Sequence, residues 1–261
     1  MAGRTFLGTV RLALLLAVLV FVALGAWLDR RRSTDWDDTL RVTVYPARAD
    51  AAGAATPCAA NVDASDFDDA ASFLAREAAA QGVALEEPVR FRVSQAAREP
   101  PPALAANPGP FSVALWSLRL RYWAWRVAAN DPLANPDVQV FAVYQAGDGR
   151  HAAPDSTGLQ KGLIAVAHLF CGNDAVAGNA VVVTHELLHT LGATDKYDRS
   201  TGQPLAPEGL GDPGLSPLYP QATGEIMAGR IAMAAHTAVI PDSLDQMTVG
   251  PGTAREIGWL R

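Results

Sequence analysis

The sequence predicts an α/β fold built on one mixed sheet. Three observations carry that expectation: the order of its periodic segments, its apolar fraction, and the lack of any internal repeat. The segments run strand, helix, strand, helix, strand, strand, helix, an alternation that lays helices against a partly parallel sheet. Apolar residues make up 49% of the 261 and charged residues 18%, which suits a buried core and excludes global disorder or a coiled coil. With an apolar N-terminal segment set aside, roughly 230 residues remain, the size of one domain or two small ones. The chain is divided into residues 1–32 and one unit at 33–261.

Residues 33–39 read as a polar tether. Leu40–Tyr45 is β-branched and followed by Pro46, a strand signal, and Ala47–Asn61 is Ala- and Gly-rich, a loop. Ser65, with Asp66, Asp68 and Asp69 behind it, marks a capped helix start, and the helix runs to Ala80 before Gly82. Val89–Val93 alternates apolar and basic residues, a strand with one apolar face. Pro100–Pro110 is Pro-rich loop. Phe111–Asn130 reads as a helix whose apolar positions cover most of its circumference. The expectation is a mostly buried helix with a narrow stripe at Arg119 and Arg126, and the alternative is a helix resting on a bilayer. Val138–Tyr144 and Leu163–Phe170 are two further strands, the second almost continuously apolar.

The N-terminus is a membrane signal. Leu12–Leu28 is 17 residues without a charge, about 25 Å as a helix and the short end of a bilayer span. Arg4 and Arg11 precede it, Trp27 ends it, and Arg30, Arg31 and Arg32 follow. An uncleaved single-pass anchor is expected, with the domain outside the cytoplasm, periplasmic or extracellular; a cleaved signal peptide is the competing reading. Five of the 21 basic residues and one of the 27 acidic ones precede Ser33, leaving 16 against 26 beyond it, a net of −10. An acidic folded part lacks the footprint that phosphate backbones demand, so nucleic acid is not expected as a partner. Cys58 and Cys171 are too few for a thiolate zinc site and read as either one disulfide or two buried thiols.

The chemistry concentrates after Asn179, a candidate helix cap. His185 and His189 are four apart, so both imidazoles project from one helical face and can ligate one Zn²⁺. Glu186 lies beside the first and can take a proton from a water molecule and return it to a leaving amine. Gly192 can end the helix left-handed and turn the chain back, bringing Asp195 within reach as a third ligand. Asp198, Glu208 and Asp212 are the alternatives for that position. His168 reads as a core or edge histidine, His151 and His236 as surface residues, and Lys196 as solvated. Pro204–Pro220 is Gly- and Pro-rich and is expected to form one wall of a cleft.

The run from His185 to Asp195, His-Glu-x-x-His-x-x-Gly-x-x-Asp, resembles the metzincin-type zinc peptidases in which Asp replaces the usual third His, as in the snapalysin group. Leu191–Asp198 (LGATDKYD) is also similar to the matching segment of immune inhibitor A-like peptidases. The resemblance implies a mixed sheet with an active-site helix, then a methionine-bearing turn beneath the metal and a C-terminal helix. Gly224–Gly229 is the candidate turn, with Met227 38 residues after His189, and Thr253–Leu260 the candidate helix. Many such peptidases carry Tyr two residues after the turn methionine, where this chain has Gly229. Tyr197 is the candidate to supply a phenol to the oxyanion instead.

The expected function is therefore zinc-dependent peptide-bond hydrolysis of a protein or peptide substrate by a membrane-anchored enzyme. An extended substrate is expected to add along the strand at Leu163–Phe170. Two other readings compete: an envelope assembly protein with a structural metal site, and a zinc amidase acting on cell-wall peptide. No metal-blocking Cys switch is signalled by the surroundings of Cys58.

Overall fold

The computed structural model describes residues 34–49, 56–97, 99–104, 109–131, 136–146, 156–159, 162–172 and 175–260, with Leu12 and Leu16. The expected membrane segment otherwise lies outside the described residues; among those described, no helix is long and apolar enough to cross a membrane.

The expected mixed sheet is present. Its five strands are β1 (Leu40–Arg48), β2 (Val89–Val93), β3 (Val138–Gln145), β4 (Thr157–Leu159) and β5 (Ile164–Phe170), in the order β2-β1-β3-β5-β4. All neighbours are parallel except β4, which runs antiparallel to β5. Pro46 sits inside β1 without breaking it. The register explains why: β2 pairs with β1 only as far as Val44, while β3 continues to Arg48, so Pro46 lies where one side of β1 no longer needs a donor. The sequence reading missed β4, a three-residue strand too short to show periodicity.

Both faces of the sheet are covered, which is why β3 and β5 read as unbroken apolar runs. Val42, Val44, Val140, Ala142, Ala165, Ala167 and Leu169 face one layer, and Tyr45, Phe141, Val143, Ile164 and Val166 face the other. The first layer holds α1 (Thr56–Ala60), α2 (Asp68–Ala80) and α4 (Val176–Leu191). The second is α3 (Pro110–Ala129), whose Leu120, Ala124 and Val127 are buried and whose Trp123 packs on Phe141 at 4.5 Å. The expectation that α3 is mostly buried fails on its other side, where Phe111, Leu118, Tyr122 and Trp125 are exposed.

Other expectations need correction. The supposed loop at 47–61 contains α1, which carries Cys58. The cap of the α2 region is Asp63 rather than Ser65: its carboxylate accepts from the Ser65 amide at 2.8 Å, and Asp66 returns the favour to the Asp63 amide at 3.0 Å, a capping box one turn earlier. The supposed tether is docked, because Trp36 donates its indole N–H to the Ile257 carbonyl at 2.7 Å and meets Trp259 edge-on. The C-terminal helix, α5, spans Pro251–Glu256 and stops short of Leu260 because the chain turns at Gly258 with φ 82°.

Cys58 and Cys171 pair, with Cα atoms 5.8 Å apart across 113 residues of sequence. The bond staples α1 to the end of β5, just ahead of α4. A cross-link closing so long a loop contributes about 2–4 kcal/mol. Cys58→Ala/Cys171→Ala is expected to lower the unfolding free energy by that amount in a denaturant titration, with the fold retained.

Candidate metal centre

Helix α4 carries the site, and its sequence explains its placement. Val183, Leu187, Leu188 and Leu191 are buried against the sheet. Asn179 does not cap the helix, which begins at Val176. Instead its side chain accepts from the Phe170 amide at 3.0 Å and donates to the Phe170 carbonyl at 2.8 Å, pinning the helix to the end of β5. Gly192 closes the helix in the left-handed region at φ 110°, as the sequence predicts, and the chain reverses.

That reversal has a chemical consequence. The Ala193 carbonyl comes to lie 2.8 Å from His189 Nδ1, and the Ile226 carbonyl lies 2.9 Å from His185 Nδ1. A carbonyl only accepts, so each imidazole donates through Nδ1 and keeps its Nε2 lone pair free. Both Nε2 atoms point at Asp195 Oδ1, at 3.5 Å from His185 and 3.0 Å from His189. The ligand-type atoms of the three residues lie within 4.8 Å of one another, so the group could hold a metal ion. Of the alternatives for the third position none joins it. Asp198 accepts from Ser200 and Thr201, Glu208 is mainly exposed beside Lys196, and Asp212 accepts from Gly214.

The donor set fits a cation on two further observations. Asp195 Oδ1 and Glu186 Oε2 are both buried and, among the described residues, without a hydrogen-bond partner. A carboxylate oxygen facing two imidazole lone pairs is repulsive unless a cation or an added proton lies between them. Burial opposes charge on Asp195, but with an added proton on Nε2 in that place His185 and His189, together with Arg199, outweigh it and hold its carboxyl well below the usual range. Burial likewise disfavours the His185 imidazolium, yet Asp195, Glu186 and the Ile226 carbonyl together raise its pKa. Arg199 fixes the other Asp195 oxygen at 2.8 Å. Glu186 is 5% exposed, and burial pushes its pKa up, partly offset by the two histidines.

The turn carrying Met227 lies under this group. It is a short 3₁₀ turn, Ile226–Ala228, with Met227 fully buried and Gly229 left-handed at φ 64°. Its backbone serves both sides of the site: Ile226 accepts from His185, and Met227 accepts from the Lys196 amide at 2.9 Å, directly after Asp195.

Glu225, which the sequence reading passed over, shapes the turn. One carboxylate oxygen accepts from the Met227 and Ala228 amides at 2.6 and 3.1 Å; the other accepts from Thr253 Oγ1 at 2.6 Å and the Gly250 amide at 3.3 Å. Burial raises its pKa against those bonds. Its position just ahead of the turn was the only sequence signal.

Lys196 is not solvated. It is 5% exposed, with Nζ 2.7 Å from Glu256 Oε1 and 2.9 Å from Thr194 Oγ1. Glu256 also accepts from the Thr194 amide at 2.9 Å, so α5 grips the loop that carries Asp195. Tyr197 is half-buried next along that loop, its backbone bridged to Pro204. His168 lies on β5 and His236 in an exposed turn, both outside the metal group, and His151 lies outside the described residues. Cys58 cannot serve as a metal-blocking thiol while it is bonded to Cys171.

Strand β4 crosses the helix at Gly158. A Cβ there would meet His189 Cβ at 2.4 Å and the Glu186 carbonyl at 2.7 Å, so only glycine permits this approach. No family model matches the chain, and no curated protein matches it.

Two outcomes follow. Gly158→Ala should push β4 off α4 and cost about 1–3 kcal/mol of stability, the price of overpacking a rigid contact, with weaker metal uptake in an equilibrium dialysis assay. Glu225→Gln leaves at least one buried donor unpaired and should cost about 1–3 kcal/mol, read by urea unfolding.

Proposed function

We propose that this chain is a zinc-dependent hydrolase of peptide bonds, anchored in a membrane by residues 12–28 with residues 33–261 outside the cytoplasm. The observation that carries the reading is the convergence of His185, His189 and Asp195 beside a buried carboxylate, Glu186, whose Oε2 has no hydrogen-bond partner among the described residues. Two imidazoles and one carboxylate, with a further position open, are a donor set that suits catalytic zinc. The Cys58–Cys171 bond supports an oxidising compartment.

When bound, zinc supplies Lewis acidity, polarising a carbonyl and making water acidic near neutral pH. The protein's own part begins with orientation: the Ile226 and Ala193 carbonyls hold both Nε2 lone pairs toward one point, and Arg199 holds Asp195 there. Glu186 then acts as the general base. It takes a proton from the attacking water as the oxygen–carbon bond forms, and delivers it to the amine nitrogen as the carbon–nitrogen bond breaks. Desolvation suits that role, because a carboxylate with a raised pKa holds the transferred proton better than a solvated one. Tyr197 is the candidate to steady the oxyanion.

The substrate strand has a partner along part of its length. β4 pairs with β5 only from Ile164 to Val166, so among the described residues the β5 edge beyond Val166 has no strand laddered to it. β4 is the outermost strand over the first part, and an extended peptide added there would run beside Gly158 and the last turn of α4, around His189.

His185→Ala and His189→Ala should each abolish stoichiometric zinc measured by elemental analysis of the purified protein, and Asp195→Ala should weaken binding more than Asp198→Ala. Undiminished zinc in both histidine variants would end the proposal. Glu186→Gln should retain zinc and fold while losing about 10²–10⁴-fold in cleavage of a peptide pool. Full activity in the zinc-loaded variant would remove Glu186 from the mechanism. Zinc binding with no cleavage of protein or wall peptide by the wild type would favour a structural site.

A further inference from the structure

Helix α3 carries a second apolar face that the fold does not use. Leu120, Ala124 and Val127 bury one side of the helix on the sheet. On the opposite side Phe111, Leu115, Leu118, Tyr122 and Trp125 recur every three or four residues and form one stripe. They are exposed, Phe111 by 81% and Trp125 by 64%, and Tyr122 and Trp125 stack on each other at 6.0 Å. At helical spacing Arg119 and Arg126 flank the stripe on one side and Arg121 on the other. α3 contains no acidic residue, in a chain whose net charge beyond residue 32 is −10.

We propose that this face of α3 docks on the surface of an anionic lipid bilayer. Phe, Leu, Tyr and Trp side chains would enter the boundary between headgroups and acyl chains, and the arginines would meet the phosphates. Two features of the chain point to this occupant. The first is charge: Arg119 and Arg126, both exposed and interleaved with aromatic residues, complement an anionic surface, while Arg121 packs its Nε against Gly162. A second copy of α3 offers three arginines and no acid to pair with them. The second is reach. Leu12–Leu28 is uncharged, and Trp36, only eight residues beyond Leu28, is fixed to the folded body by its bond to Ile257. Eight residues span at most about 28 Å, so a bilayer holding that segment lies within that distance of Trp36, which packs on the α2/α4 layer. The inference rests on the reading of residues 12–28 as the anchor and not on the hydrolase reading, since no residue of the metal centre takes part.

The test uses the full chain reconstituted into vesicles of phosphatidylglycerol and phosphatidylcholine. Because Cys58 and Cys171 are paired, a bimane label goes to one introduced thiol: Leu118→Cys on the stripe, Tyr122→Cys as a second stripe position, or His236→Cys in an exposed turn outside α3. Both stripe labels should shift to the blue and be quenched by brominated acyl chains, and the label at 236 should do neither. Arg119→Gln/Arg126→Gln should reduce the quenched fraction, each arginine contributing about five-fold to the docking equilibrium at an anionic surface. Stripe labels no more quenched than the label at 236 would overturn the proposal. So would a blue shift that needs no lipid and grows with protein concentration, which would show that a second copy covers the face.

Discussion

Two imidazoles on one turn of helix can converge on a cation only if each gives its Nδ1 proton to something else. In this chain the acceptors are two main-chain carbonyls, Ala193 and Ile226, separated by more than thirty residues of sequence. The first is produced locally, by the left-handed turn at Gly192. The second has to be delivered by a distant segment, and much of the C-terminal third of the chain exists to deliver it. Beyond Gly192 that third has little regular secondary structure. Carboxylates hold it in place: Glu225 inside the turn, Glu256 on the Asp195 loop, and Glu77 of α2, which accepts from Thr248 and the Val249 amide at 2.8 Å each.

This division explains what could be read from the sequence. The sheet strands β1, β2, β3 and β5, the long helices and the His-Glu-x-x-His spacing all show up as local periodicity, and Gly192 announces its own conformation. Asp195 was legible because a fixed short turn separates it from His189. The features that escaped depend on contacts between remote segments. Glu225 looks like any acid beside a turn until Gly250 and Thr253 arrive from α5. Lys196 looks solvated until Glu256 closes over it. β4 is too short to have a period, and Asn179 resembled a cap because its clamp on Phe170 requires β5 to lie alongside.

Gly158 shows the same economy at the site itself. The closeness of β4 to α4 is set by the missing side chain, so the spacing between the outer strand and the two histidines is a property of backbone against backbone. Such a contact has no rotamers to change, and it keeps the strand edge at a fixed distance from His189. A side chain in its place would have introduced a variable where an extended ligand needs a constant.

The docking of Trp36 on Ile257 ties the start of the folded body to the loop that carries Asp195. The indole bond ends on the residue next to Glu256, whose carboxylate holds Thr194 and Lys196 on either side of Asp195. A shift of the segment at Trp36 would thus reach α5 through the indole bond as well as β1 through the backbone, four residues on at Leu40, so the Asp195 loop and the sheet are tied to the same point.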